Sequence, residues 1–380
     1  MICRLNTGGQ FVKLGTLARS ALSALSSPAL GKKIELFLTR GARFAIIEGG
    51  LYFRSAGVTR VLDAGPDTPP GFGGLAMVRV SPRWVFNFRR NHGVDAVLIE
   101  GFGRLGNSVI QVLNALALAK NFGVNIILFY RFDLIDNATL ALGAGVTLQR
   151  TSLFRKRGSV RPLVVWRTAA MRRTEILLKP CSPEAATARA ALSGALAGAQ
   201  SRGQEPRDTL TVHIRSGDVF GPSPHPGYGQ PPLAFYTRVI SHHAWKSVAV
   251  ISEDLGNPVS DAVKRWCENE GIPVTQQCLD LPETIERLAS AHAVAAGRGT
   301  FVPALVYLFP RERELYLFEP SDEPLLCDPS ITLYEVRDAE GHYVKKILNN
   351  NWHNNRAQRT MMLEYAISSL SEVTVKEKAR

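Results

Sequence analysis

Short strand-like and helix-like segments alternate along the second half of this 380-residue chain, and no other feature of the sequence constrains the fold as strongly. Thr209–Ile214 is a β-branched run typical of a buried strand, and Ser247–Ile251 is a second short apolar run. Pro232–His243, which lies between them, has a helical pattern. This order indicates a parallel sheet with helices on its faces, because parallel strands need a crossover connection.

The alternation continues toward the C-terminus. Further helices are predicted at Asn257–Asn269, Glu283–Ser290 and Phe301–Phe309, and within Trp352–Ser371. Further strands are predicted at Ile272–Thr275, Ala291–Ala296 and Glu314–Phe318. Asn257 and Pro258 give the first of these helices a capping residue followed by a first-turn proline.

The first half of the chain repeats this pattern less clearly. Strands are predicted at Ala76–Val80, Val94–Ile99 and Val124–Tyr130, a helix at Asn107–Asn121, and amphipathic segments at Val12–Leu25 and Ile34–Ile47. The length favours two domains, over residues 1–200 (with an irregular or helical extension over 1–90) and 205–345, followed by a C-terminal helix over 352–375. We therefore expect an α/β protein with two doubly wound, Rossmann-like domains facing a cleft.

Charge is distributed unevenly between the two halves. The net charge is +12, with 26 basic and 10 acidic residues in 1–200 and 19 basic and 23 acidic residues in 201–380. Arg150–Arg173 holds eight basic residues and no acid, with apolar residues between them. This segment is typical of a solvated basic face or of peripheral contact with anionic lipid. Nucleic acid is the least favoured partner, because no nucleic-acid-binding motif accompanies the charge.

The cysteines and the apolar runs indicate the cellular compartment. Five cysteines stand at positions 3, 181, 267, 278 and 327 without a Cys-x-x-Cys pair, a pattern that favours buried reduced thiols over a disulfide framework or a zinc site. No apolar run reaches about 18 residues, and Ala21–Leu30 is too interrupted for a secretory signal. These observations predict a cytoplasmic protein, with contact at the inner membrane face through the basic segment as an extension of that prediction.

Polar side chains follow the first strand of the second half. Strand alternation places His213 and Arg215 on one face at the end of Thr209–Ile214. An arginine presents a planar fork of donors that can grip a pyrophosphate, and Asp218 can hold that arginine in place. In open α/β sheets ligands bind outside the carboxyl ends of the strands, so this position is a candidate anion site.

Two further clusters follow later strands. Ser252, Glu253 and Asp254 come directly after Ser247–Ile251, and their carboxylates can accept hydrogen bonds from ribose hydroxyls or a guanine edge. Capping of the next helix by Asp254 or Asn257 is the structural alternative. The run Gly297-Arg298-Gly299-Thr300-Phe301 leads into a helix, whose N–H groups and dipole favour an anion.

Two more loops contain candidate site residues. Gly103-Arg104-Leu105-Gly106-Asn107 lies between a strand and a helix of the first half, and Asn107 as a helix cap is the structural alternative. A proline-rich loop, Gly221–Gln230, follows Asp218 closely. His225 in this loop is a candidate general base because its ordinary pKa is near 6.5, and a rigid surface loop that packs Tyr228 is the alternative.

The four motifs GRLGN, HIRSGD, SED and LASAHAVAAGRGTF form an ordered set over roughly residues 94–310. The set resembles the fucosyltransferase superfamily of α-1,2-, α-1,6- and protein O-fucosyltransferases. The resemblance implies a GT-B fold and the donor GDP-fucose, with no metal and no other cofactor. Ser216, where many members have a second arginine, and the Gly221–Gln230 insertion are departures.

The resemblance also implies roles for individual residues. Arg215 would hold the donor β-phosphate with His213 as its partner, and Asp254 would lie near the nucleoside. Gly299, Thr300 and Phe301 would contact phosphate and base. In the first half, Arg104 and Asn107 would face fucose and the acceptor.

We therefore expect an inverting glycosyltransferase that transfers fucose from GDP-fucose to a glycan hydroxyl in polysaccharide or glycoconjugate synthesis, with a lipid-linked glycan as one acceptor class. The chain contains no Asp-x-Asp, which agrees with a metal-free mechanism. The alternatives are another GT-B-type transferase, such as a polysaccharide pyruvyltransferase or a different nucleotide-sugar enzyme, and a non-enzymatic carbohydrate-binding or membrane-associated protein.

Overall fold

The computed structural model divides the chain into two compact units, Met1–Ala195 and Leu196–Arg380. The structure describes residues 44–47, 50–54, 75–79, 96–100, 105–129, 139–150, 162–166, 178–196, 203, 205–320 and 325–375. Each unit contains a sheet with helices packed against it, and each is described here separately.

The first unit has an eight-stranded sheet among its described residues. Its strands are β1 (Phe44–Ile47), β2 (Gly50–Arg54), β3 (Leu75–Arg79), β4 (Ala96–Glu100), β5 (Ile126–Phe129), β6 (Thr139–Gly143), β7 (Val146–Arg150) and β8 (Pro162–Trp166). The order is β3-β2-β1-β8-β4-β5-β7-β6, and the five strands from β1 to β7 in this order are parallel. Helix α1 (Leu105–Phe122) connects β4 to β5, and α2 (Pro183–Ala195) packs against β6.

The second unit has a seven-stranded sheet that is parallel except for its last strand. Its strands are β9 (Thr209–Ile214), β10 (Ser247–Ser252), β11 (Val274–Cys278), β12 (Ala293–Ala296), β13 (Arg313–Phe318), β14 (Ile331–Val336) and β15 (Thr374–Val375). Its helices are α3 (Leu233–His242), α4 (Pro258–Asn269), α5 (Leu281–Ser290), α6 (Phe301–Leu308) and α7 (Arg356–Glu364). The order β11-β10-β9-β12-β13-β14 is the doubly wound order, which reverses direction between β9 and β12.

Local sequence signals explain where the helices of the second unit begin. The Asn257 side chain accepts a hydrogen bond from the Val259 N–H at 3.0 Å and caps α4, as predicted. Asp280 and Glu283 form a reciprocal capping box at the start of α5. Every residue of β9 and β12 is buried, which agrees with central strands covered on both faces.

The predicted α/β class with largely parallel sheets is confirmed. The predicted strands and helices between residues 209 and 318 are present, with ends that move by at most three residues. The sequence patterns missed β2, β6, β7, β8, β14 and β15. Ile34–Ile47, predicted to be amphipathic, ends in strand β1, and the C-terminal region has only the short helix α7 before β15 joins the sheet.

Strand β8 accounts for the apolar residues within the basic segment. The apolar run Leu163–Trp166, whose alternation with basic residues suggested a membrane surface, pairs with β1 on one side and β4 on the other. A central strand therefore accounts for this run. Of the eight basic residues, the structure describes Arg150 alone, at the exposed end of β7, and the other seven lie outside the described residues.

The cysteines also differ from the prediction. Cys181 and Cys327 are disulfide-bonded, so the expectation of reduced thiols is wrong for these two. Cys267 is a buried free thiol, as predicted, whereas Cys278 is free and exposed. Among the described helices, none combines the length and the apolar character needed to cross a membrane.

Candidate functional site

The candidate site lies where the strand order of the second sheet reverses. Strands β9 and β12 are paired there, with His213 opposite Ala296 at their carboxyl ends. Connections that leave the two strands on either side of such a reversal run to opposite faces of the sheet, and a crevice opens between them. HIRSGD ends β9 and GRGTF follows β12, so the structure brings two of the predicted motifs to this point.

Arg215 is the main cation at this point. Its side chain is only 18% exposed, and its Nη2 lies 3.4 Å from Asp218 Oδ1, a long contact. The centre of the guanidinium lies 4.3 Å from the centroid of the Tyr228 ring. Its Nε is buried and makes no hydrogen bond within the described part of the chain. Most of the donor capacity of this mostly buried cation is therefore unused.

His213 is buried beside Arg215. Its ring lies 5.5 Å from the ring of Phe301, the first residue of α6. Burial, and secondarily the charge of Arg215, lowers the pKa of His213 to about 4. The imidazole is therefore neutral near pH 7. The structure supports a packing role beside the arginine and gives His213 no second positive charge for a phosphate.

Asp254 ties the loop after β10 to the loop after β9. Its Oδ1 accepts a hydrogen bond from the Gly256 N–H at 2.8 Å, a longer one from the Gly217 N–H, and a short one from the Ser216 hydroxyl. The Ser216 hydroxyl is the main cause that lowers the pKa of Asp254, with the two N–H groups adding to it. This carboxylate oxygen is thus engaged inside the protein.

Ser216 is a site residue that the sequence patterns missed. It is fully buried, and its hydroxyl also accepts a hydrogen bond from the Asn257 N–H at 2.9 Å. The Asn257 side chain in turn donates to the Arg215 carbonyl at 3.0 Å. The hydroxyl of Ser216 therefore joins the two loops. Ser216 is also the position at which the sequence departs from the superfamily that its motifs resemble.

The other two residues of the SED cluster differ in exposure. Ser252 is 2% exposed, and its hydroxyl donates to the Asp254 carbonyl at 2.8 Å. It therefore shapes the loop, and its hydroxyl is not presented to a ligand. Glu253 is exposed at the carboxyl end of β10 and lies across the loop at Gly217.

The GRGTF loop lines an open pocket. Gly297, Arg298 and Gly299 face Leu317–Pro320 across this small pocket. Gly299 has φ +146°, a conformation that an L side chain rarely adopts. Thr300 precedes α6, and its side chain accepts no hydrogen bond from the first turn. The first residue of α6, Phe301, lies beside His213.

The proline-rich loop contacts the site through Tyr228, which packs on Arg215. The contacts of His225 support a role different from the predicted one. His225 is exposed, and its Nδ1 accepts a hydrogen bond from the Gly227 N–H at 3.1 Å. In a neutral imidazole with this bond the proton sits on Nε2, so the basic nitrogen is already engaged. This geometry supports a turn-capping role and gives no support to a general base.

The first-half loop is described only in part. Arg104 lies outside the described residues. Gly106 and Asn107 lie in the first turn of α1, which begins at Leu105, so Asn107 is not the helix cap that its sequence context suggested. Asn107 belongs to the first unit, and its role toward an acceptor stays a prediction. No cluster of three or more metal-binding side chains occurs among the described residues.

No protein-family model matches the chain, and no curated protein sequence matches it. It is similar in structure to a glycosyl transferase family 9 protein from Veillonella parvula (TM-score 0.37, 8% identity, 69% of this chain and 92% of that one). It is also similar to a mutant of Arabidopsis thaliana FUT1 in complex with GDP (TM-score 0.36, 10% identity, 63% and 74%) and to E. coli heptosyltransferase WaaC with ADP (TM-score 0.31, 13% identity, 63% and 90%). Similarity at this level assigns no activity to this chain.

Proposed function

We propose that this chain is an inverting glycosyltransferase that transfers fucose from GDP-fucose to a hydroxyl of a glycan acceptor. One observation carries the proposal. Arg215 is held mostly buried at the reversal of a doubly wound sheet, and most of its donors are unused. A buried cation with unused donors is costly unless an anion completes it, and a pyrophosphate matches its planar fork.

The neighbouring groups suit the same ligand. The N-terminus of α6, whose first residue Phe301 lies beside His213, offers backbone N–H groups and the positive end of a helix dipole. Glu253, exposed after the second strand of the doubly wound order, stands where an acidic side chain accepts from a ribose hydroxyl.

The reaction balances with these groups alone on the donor side. The acceptor oxygen attacks the anomeric carbon, the bond between that carbon and the phosphate oxygen breaks, and GDP leaves with the electron pair. Arg215 and the α6 N-terminus stabilise the charge that develops on the leaving diphosphate, which is the role a metal ion plays in other transferases. The acceptor hydroxyl loses its proton to a base that the described residues do not identify.

A donor panel tests the proposal. Calorimetry with GDP, UDP, CMP and their sugars is expected to show binding of GDP and GDP-fucose, with the same affinity in EDTA. Transfer of radiolabelled fucose to a glycan acceptor measures the activity itself. Preference for another nucleotide sugar would overturn the donor, and a strict requirement for manganese or magnesium would overturn the metal-free mechanism. The absence of any nucleotide binding would overturn the transferase.

A further inference from the structure

The proline-rich loop meets both parts of the candidate anion site. The Tyr228 ring lies against the guanidinium of Arg215 at 4.3 Å. Pro231 and Gln230 press on Gly297, where an added Cβ would lie 2.9 Å from Pro231 Cδ and 3.0 Å from Gln230 Oε1. One short segment therefore contacts the end of β9 and the start of the loop after β12.

Residues near the C-terminus of the unit hold the segment Pro226–Pro231 through hydrogen bonds. The hydroxyl of Tyr343, a buried residue, donates to the Gln230 carbonyl at 2.7 Å, and the Trp352 N–H donates to the Pro226 carbonyl at 3.1 Å. The Gln230 side chain donates to the carbonyls of Tyr228 and Gly229 at 2.8 and 3.3 Å. Tyr228 is therefore presented to Arg215 by a braced turn.

Arg215 needs such support. Its one hydrogen bond is the 3.4 Å contact with the half-exposed Asp218, which holds a guanidinium weakly. An aromatic face attracts a guanidinium through its negative quadrupole, and it does so without using any N–H donor. Tyr228 can thus orient the cation and leave its donors available for an anion.

We propose that Tyr228 is a positioning residue that holds the Arg215 guanidinium, through a cation–π contact, in the orientation that binds the diphosphate of the donor. The inference rests on the proposed function. Its physical content is the ring, because the Tyr228 hydroxyl makes no hydrogen bond within the described residues. Removal of the ring is expected to weaken GDP binding by about two- to thirty-fold.

The experiment measures the dissociation constant of GDP by calorimetry in the full chain. Tyr228→Leu removes the ring, and Tyr228→Phe keeps it. Tyr334→Leu is the matched control, because Tyr334 is another partly exposed tyrosine of the same unit and its ring stacks on Tyr316 rather than on Arg215. We expect Tyr228→Leu to bind GDP several-fold more weakly than wild type, Tyr228→Phe to retain most of the affinity, and Tyr334→Leu to bind as wild type does. Melting temperatures report the fold of each variant.

A double-mutant cycle separates positioning from direct contact. If Tyr228 acts through Arg215, then Tyr228→Leu adds no further loss in an Arg215→Ala background. The same loss in both backgrounds would overturn the inference, because the ring would then contact the ligand itself. Binding that depends on Arg215 and is unchanged in Tyr228→Leu would overturn the inference alone. Wild-type protein that binds no GDP would overturn the proposed function and this inference with it.

Discussion

The loop after β9 and the loop after β12 leave neighbouring strands of the second sheet, yet they are held in place very differently. The first is braced by side chains: Asp254 and Asn257 both bind it through Ser216, and Tyr228 covers Arg215. The second has Gly297 packed against Pro231 and Gln230 at its start, but it turns on Gly299, around which an added Cβ would meet nothing within 4 Å. We infer that side-chain hydrogen bonds organise the β9 loop before a ligand arrives and that the conformation of the β12 loop depends on the glycine at position 299.

The largest expected effect is on the braced side. Arg215→Ala removes the cation to which the proposed mechanism assigns stabilisation of the leaving diphosphate, and the transfer rate is expected to fall by about 10²–10³ with the fold intact. Arg215→Lys is expected to restore only part of this loss, because lysine has no planar fork. Steady-state kinetics measures both variants. Arg207→Ala is the control, since Arg207 is an exposed arginine paired with Glu312, and near wild-type turnover of Arg215→Ala would refute the assignment.

The second effect is a pH dependence that arises from the buried His213. The pKa of about 4 in the folded state lies below the ordinary value of 6.5, so the unfolded state takes up a proton first as the pH falls. Stability is therefore fully present above pH 6.5 and declines between pH 6.5 and 4, by up to about 3 kcal/mol. Urea unfolding at a series of pH values measures this. His213→Phe should flatten the dependence over this window, and an unchanged slope in that variant would contradict the burial argument.

The third effect tests the hydrogen bonds through which Ser216 joins the loop after β9 to Asp254 and Asn257. Ser216→Ala leaves the buried Asn257 N–H without its acceptor and is expected to cost about 1–3 kcal/mol of unfolding free energy. The Ser216 hydroxyl lowers the pKa of Asp254. Their hydrogen bond therefore stabilises the protein above the ordinary carboxyl pKa of 3.8, and this stabilisation is lost as the pH falls through the lower folded value. Denaturant unfolding and GDP calorimetry should both report the loss. A variant that loses stability but keeps full GDP affinity would show that the brace does not organise the site.

The smallest effect addresses the glycine side. Gly299→Ala and Gly271→Ala both place a side chain at positive φ, where about 1–3 kcal/mol of strain is expected, and neither Cβ would meet another atom within 4 Å. Only Gly299 lies in the candidate site, so we expect both variants to lose similar stability and only Gly299→Ala to lose GDP affinity. Equal GDP affinity in the two variants would remove the β12 loop from the binding site.

Much of the second unit could be predicted from sequence because its central strands are short, fully buried runs between clear helix signals. Thr209–Ile214 and Ala293–Ala296 are of this kind. Strand β14 alternates buried and more exposed residues, which is a strand signal that the sequence interpretation missed, whereas β8 is hidden by basic residues on both sides. The position of Arg215, His213 and the GRGTF loop at one crevice followed from the strand order.

The contacts that organise the site could not be predicted because they join distant parts of the chain. Ser216 and Asp254 are 38 residues apart, and they meet because β9 and β10 pair in parallel register. Tyr228 reaches Arg215 only because a turn is anchored by Tyr343 and Trp352, more than 100 residues later. No periodicity in the sequence carries such information.

The enclosure of His213 also affects how related chains can be sought. A ring that is neutral near pH 7 acts at this position by packing beside Phe301, so another ring of similar size could stand there in a distant relative. In the proposed mechanism, Arg215 has no such substitute. A search pattern that requires both residues would therefore reject chains with the same crevice. A pattern built on Arg215, a small hydroxyl residue at the position of Ser216 and an aromatic residue at the position of Tyr228 would retain them.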